Sequence, residues 1–268
     1  MTRPALPSPA TARARKLPRT LSGGSPVAPV LVVIAHGSRD PRHAATVHAL
    51  VRRAGGLRPD VRVETAFLDF NVPSVTAVLE RLAAEGVRDV VALPLLLTRA
   101  FHAKADIPAV LREAPPSLRI RQAPVLGPSP LLVAALERRL YEAGLTPADK
   151  GSTGVVLASA GSTDPEASAV IAEMARELRH TGWCAVRPAF ASASLPRTED
   201  AVRALREDGV RRVAVAQYVI APGRLPDRIA EGAAGADVLA DVLGPSPELA
   251  RLLLARYDEA GVALSAAA

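Results

Sequence analysis

Short apolar runs alternate with longer stretches of helical apolar spacing along this chain. Val30–Ala35 is an unbroken apolar run rich in β-branched residues, which predicts a strand buried on both faces of a parallel sheet. Residues 42–54 place Ala45, Val47, Leu50 and Val51 at helical spacing and predict a helix, with Asp40-Pro41 as N-cap and first helical residue. Val61–Phe67 alternates Val61, Val63 and Thr65 against Arg62 and Glu64 and predicts a second strand. Ser74–Glu85 carries Val75, Val78, Leu79 and Leu82 on one helical face, with Gly86 as its stop. Asp89–Leu97 predicts another buried strand, in which Pro94 marks a bulge or an end. Asp106-Ile107-Pro108 then opens a helix. Strands alternating with helices predict an α/β chain built on parallel sheets.

The pattern occurs twice. VLVVIAHGSRDP at 30–41 is matched by GVVLASAGSTDP at 154–165, an offset of 160 − 36 = 124 residues. Ala66-Phe67 is matched by Ala189-Phe190, and Gly86-Val87-Arg88 by Gly209-Val210-Arg211. The string VLGPSP stands at Val125–Pro130 and again at Val242–Pro247. The expected architecture is two tandem domains related by internal duplication, each a parallel sheet flanked by helices. The expected boundaries are a basic Pro/Ala-rich tail at 1–26, a first domain at 28–150 and a degenerate second copy at 151–268.

Composition narrows the possible functions. Apolar residues make up 49% of the 268, enough for two cores, and no apolar run reaches the roughly 18 residues of a membrane span. The net charge of +6 suggests nucleic acid until it is located. Arg3, Arg13, Arg15, Lys16 and Arg19 sit in the acid-free tail, leaving 33 − 5 = 28 basic against 27 acidic residues elsewhere. The remainder is therefore nearly neutral, and neither nucleic acid nor a membrane is an expected partner. The tail has no apolar h-region and is expected to be a disordered extension rather than a secretory signal. Cys184 is the single cysteine, so no disulfide, thiolate zinc site or cluster is expected within one chain. Beside Trp183 it reads as half-buried and inert, and a cytoplasmic protein is the expectation.

The candidate chemistry collects where strands end. His36 follows the first strand, Asp69 the second and His102 the third, all at the carboxyl edge where open α/β sheets bind ligands. Two imidazoles and a carboxylate suit a borderline divalent metal or acid–base work. His43 and His48 are five residues apart on the first helix, a poor spacing for joint metal binding, and read as solvated surface groups. A serine hydrolase lacks its G-x-S-x-G elbow, and a dinucleotide domain its G-x-G-x-x-G.

AHGSRDP, AFLDFNVPS and PLLLTRAFHAKADIP, with the two histidines 102 − 36 = 66 residues apart, resemble the sirohydrochlorin chelatases. The resemblance covers residues 28–150 strongly and 154–268 as a decayed copy. It implies a lyase-type enzyme that inserts Fe²⁺ or Co²⁺, as co-substrate, into sirohydrochlorin, with no permanently bound cofactor. Iron, and hence sirohaem formation, is favoured because no cobalamin-specific feature is visible. The resemblance also implies that His36 and His102 hold the metal and that a carboxylate, usually Glu and here Asp69, completes the catalytic set. Ser38, Arg39, Arg42, Arg99 and Lys104 are then candidates to hold the carboxylates of the substrate. In the second copy Ala160 replaces His36, and Pro222–Pro226 has no histidine to match His102, so that copy is expected to be a structural lid. The expected state is a monomer with an internal pseudo-dimer. The competing reading is a non-enzymatic carrier of metal or tetrapyrrole using the same histidines.

Overall fold

The computed structural model describes residues 28–99 and 102–265, without the side chains of His102, Ala103 and residues 262–265. The basic segment 1–26 lies outside the described residues. The first sheet holds β1 (Val30–Ala35), β2 (Val63–Phe67), β3 (Asp89–Pro94) and β4 (Arg119–Gln122) in the order β2-β1-β3-β4, all parallel. The second holds β5 (Thr153–Ser159), β6 (Ala185–Phe190), β7 (Arg212–Tyr218) and β8 (Val238–Leu239) in the matching order β6-β5-β7-β8. Both expected sheets are therefore present; β3 ends at Pro94, short of the expected Leu97, with Leu95 N still donating to Ile34 O at 2.8 Å.

The order of the strands creates a crevice. From β1 the chain crosses to β2 on one side and later to β3 on the other, so the topological switch point lies between β1 and β3. Ligands of open parallel sheets bind at the carboxyl end of that point. Residues following β1 and β3 border it in the first sheet, and residues following β5 and β7 border its twin in the second.

Each sheet has a private outer face. On the first, Val30, Val32 and Ile34 pack with α2 (Val75–Ala84) and α3 (Ile107–Arg112). On the second, Val156 and Ala158 pack with α6 (Thr198–Glu207) and α7 (Arg224–Gly232). The inner faces share one continuous core. Leu31 and Val33 of β1, and Val155 and Leu157 of β5, belong to the same cluster as the buried faces of α1 (Pro41–Leu57), α4 (Pro130–Glu142), α5 (Pro165–His180) and α8 (Pro247–Ser265).

Two of those helices change sides. The helix α8, last in the chain, packs on α1, β3 and β4 of the first half, while α4 packs on β7 and α5 of the second. Arg256 of α8 donates to the carbonyls of Val125 and Leu126, and the Tyr257 hydroxyl donates to Pro29 O at 2.8 Å. The repeated VLGPSP string launches these exchanged helices. Ser129 caps α4 by accepting from Leu131 N, Ser246 caps α8 by accepting from Leu249 N, and a proline follows each serine as first helical residue. The boundary at residue 150 thus divides two sequence copies, not two separate packing units. Among the described residues no helix is long and apolar enough to cross a membrane.

Candidate functional site

The loop after β1 is built by hydrogen bonds to the loop after β2. Asp69 N donates to His36 O at 2.9 Å, and Ser38 N donates to the Asn71 side-chain oxygen at 2.8 Å. Gly37 has φ +97°, and a Cβ there would lie 1.9 Å from Asp69 O, so only glycine lets the two loops close. Asp40 then caps α1 by accepting from Arg42 N at 2.9 Å. The second copy repeats the device. Gly161 has φ +87° with Ser192 O 2.0 Å from its notional Cβ, Ser192 N donates to Ala160 O, and Asp164 caps α5. The loop scaffold is thus kept while the side chains differ: Ala160 stands for His36, and Ser192 for Asp69.

The two carboxyl edges face each other across a largely apolar cavity of about 430 Å³. His36, Ser38 and His43 line it from the first half, and Ala160, Ser162 and Arg224 from the second. At the mouth a side chain beginning at Gly223 would come within 3.9 Å of Ser38 Oγ. His36 is half-buried and makes an edge contact with Phe70, whose ring centroid lies 6.1 Å away. The backbone of His102 opens a π-helical turn, His102–Asp106, just before α3 and on the far side of the switch point from His36. Its side chain is outside the described atoms. Such π-turns are frequent at functional sites.

The other expected residues scatter around this cavity. Asp69 is exposed, accepts from Phe70 N at 2.8 Å and does not line the cavity; only its backbone supports the His36 loop. Arg39 is exposed, with its guanidinium 5.1 Å from the Phe70 ring centroid, and Arg99 is exposed beyond the cavity-lining Thr98. Arg42 and Lys104 stand at the rim, each paired with the opposite half. Arg42 meets Asp227 at 2.9 Å, as well as its neighbour Asp40. Lys104 meets Asp164 at 2.7 Å and Glu166 at 2.8 Å. Asp164 holds the lysine's pKa above its ordinary value, and the lysine in turn holds the Asp164 carboxyl below the usual range.

These rim contacts are related by the duplication. Positions 42 and 166 correspond at the 124-residue offset; Arg42 pairs with Asp227 and Lys104 with Glu166, so each of the two contacts the opposite half. The first half is basic at both places and the second acidic at both. No pattern within one copy reveals this pairing.

The histidines of α1 correct the sequence reading. His43 is not a solvated surface group but half-buried in the cavity wall, in line with Val47, Leu50 and Ala54 on the buried face. Burial, and then the nearby His36, hold its pKa below the ordinary histidine value. His48 packs edge-on against Phe67 at 5.6 Å. The 43-47-50-54 spacing was present in the sequence and could have placed His43 on the inner stripe.

A pair of duplicated parallel α/β units, closed face to face around an imidazole-bearing cavity, defines the class to which the comparisons add a family. The CbiX family profile matches the chain twice, over residues 30–143 and 154–260. The chain belongs to the CbiX family. It is 29% identical over 208 residues to a sirohydrochlorin cobaltochelatase of Priestia megaterium, covering 75% of this chain and 67% of that protein. It is 27% identical over 235 residues to a sirohydrochlorin ferrochelatase of the same organism, covering 83% and 87%. Among solved structures, SirB from Bacillus subtilis with Fe³⁺ superposes with a TM-score of 0.76 at 24% identity, over 89% of this chain and 98% of that one.

Proposed function

We propose that this protein is a lyase-type chelatase that inserts Fe²⁺ into sirohydrochlorin, the reaction that forms sirohaem. The observation that carries the reading is the position of His36. It follows the central strand β1 beside the switch point and lines the cavity between the two halves, in a chain belonging to the CbiX family. The similarity to proteins named for cobalt and for iron supports metal insertion equally for the two ions. Iron is preferred because the sequence carries no cobalamin-specific feature.

Insertion requires a held macrocycle, a metal ion relieved of its water, and acceptors for two pyrrole protons. His36 and His102, following β1 and β3, are assigned as the ligands that deliver the ion. Neutral imidazole suits a borderline divalent metal and, once released, can accept a proton near neutral pH. Asp69 lies on the outer side of the His36 loop. It is assigned to pass protons from the site to solvent, a role that its exposure permits.

The peripheral carboxylates of the macrocycle are assigned to Ser38, Arg39, Arg42, Arg99 and Lys104. Two of these cations already hold carboxylates of the second half, so substrate binding is an exchange of partners. Exposed ion pairs are screened by solvent and contribute little, so that exchange meets little resistance. The second half closes the cavity and contributes Arg224 to its wall but no metal ligand. It acts as a built-in partner within a monomer.

The test is anaerobic incubation with sirohydrochlorin and Fe²⁺ or Co²⁺, followed by absorbance, for wild type, His36→Ala, His102→Ala and the double mutant. Each single change should lower turnover at least about 100-fold, and the double should be little worse than either, because the two groups serve one event. Binding of the metal-free ring should survive. A single mutant retaining more than about a third of wild-type turnover would remove that histidine from the ligand set. Wild-type protein that binds ring and metal without joining them would establish the carrier reading instead.

A further inference from the structure

The duplication contains a second histidine-to-alanine exchange beside the one at position 36. His43 in α1 corresponds to Ala167 in α5, at the same offset of 124 residues that relates His36 to Ala160. All four residues line the same cavity. One wall therefore offers two imidazoles and the opposite wall two methyl groups, on loops and helices of matching geometry. Ala167 is buried at 2% exposure, so a small apolar side chain satisfies the fold at this position.

The ring of His43 is placed for a ligand rather than for packing. Its Nδ1 is shielded from solvent and has no hydrogen-bond partner among the described residues. Burial without a partner is costly for a polar atom, and a small rotation of this cavity-lining ring would let a ligand that enters the cavity relieve it. The position on the inner stripe of α1, one turn before Val47, sets the half-buried ring in the cavity wall. His36 lies near enough that a charge on one ring disfavours a charge on the other.

We propose that His43 is a further ligand for the incoming divalent ion, binding it together with His36 on the first half's wall before it reaches the macrocycle. The inference rests on the chelatase reading and adds a staging site to it. A neutral imidazole nitrogen and its neighbour form a donor pair that Fe²⁺ and Co²⁺ accept in exchange for water. The ion is then partly dehydrated before insertion begins. His48, five residues on and packed against Phe67, is outside this site.

The experiment uses Co²⁺ alone as the probe, with the full chain and no tetrapyrrole. Binding is followed by calorimetry and by the visible spectrum of the bound ion in wild type, His36→Ala, His43→Gln, His43→Ala and His48→Gln. Circular dichroism and thermal unfolding check each fold. His43→Ala should fold as wild type does, because Ala167 already occupies the twin position. Both His43 variants should bind Co²⁺ at least about tenfold more weakly, with an altered spectrum, since removing even an outer partner of a ligand costs about 10–100-fold. His48→Gln should stay within about twofold of wild type. If both His43 variants match wild type while His36→Ala is weakened, the staging site is overturned and the chelatase reading stands. If wild type binds no Co²⁺ without the ring yet still inserts it, the staging site is likewise overturned. If wild type and His36→Ala bind alike and His36→Ala still inserts metal, the chelatase assignment of His36 fails with it.

Discussion

Gly37→Ala and its twin Gly161→Ala separate what the scaffold needs from what the chemistry needs. Both glycines have positive φ, +97° and +87°, and both face a carbonyl of the neighbouring loop. Real Cβ contacts do not fall below 3.0 Å, so the new methyl must be relieved by 3.0 − 1.9 = 1.1 Å at position 37 and 3.0 − 2.0 = 1.0 Å at position 161. An L-residue in this backbone region costs roughly 1–2 kcal/mol before any clash is counted. With the displaced loop included, each mutant should lose about 2–4 kcal/mol of unfolding free energy, by nearly equal amounts. Activity should divide them. In Gly37→Ala the loop that moves carries His36, and a misplacement of about 1 Å typically costs on the order of 100-fold in rate. In Gly161→Ala the moving loop carries Ala160, and turnover of the folded protein should fall less than about threefold. Denaturant unfolding gives the stabilities, and anaerobic chelation at a temperature where both mutants are folded gives the rates. Equal losses of turnover in the two mutants would refute the argument that the position of His36, rather than the shape of the cavity, sets the rate. Wild-type stability in either mutant would refute the reading of the loop contact.

Two further outcomes are expected. Asp69→Asn should slow insertion by about 10²-fold, the low end for losing a proton acceptor, while leaving the melting temperature within error; wild-type turnover would return Asp69 to a purely structural part in the loop. Removing residues 151–268 should give an insoluble or aggregated first copy, because it strips α8 from the first sheet and leaves α4 without β7 and α5. Each buried leucine thus uncovered on α4, such as Leu132 or Leu136, forfeits on the order of 1.5–3 kcal/mol. A soluble, active monomer in size-exclusion chromatography would contradict that packing.

The sequence by itself determined whatever depends on neighbours in the chain. The span of β1, the Asp40 and Asp164 caps, the break at Pro94 and the placing of His36 after a buried strand all follow from a few adjacent residues. The duplication was legible for the same reason, since matching strings fold alike. Only the tertiary structure decided which sheet each helix covers. The VLGPSP strings announce two helix starts but not that α4 and α8 cross to the opposite halves, because an apolar stripe fits either sheet equally well. The same exchange closes the halves around the cavity. Closure sets His43, already on the inner stripe of α1 by its spacing, into the cavity wall and pairs Arg42 and Lys104 with Asp227, Asp164 and Glu166. It also leaves the Asp69 side chain outside while its backbone N–H holds the loop of His36 by donating to the His36 carbonyl. Burial and charge pairing at these positions arise between residues that are distant in the chain, and a periodicity read along one strand or helix contains no information about what lies opposite it.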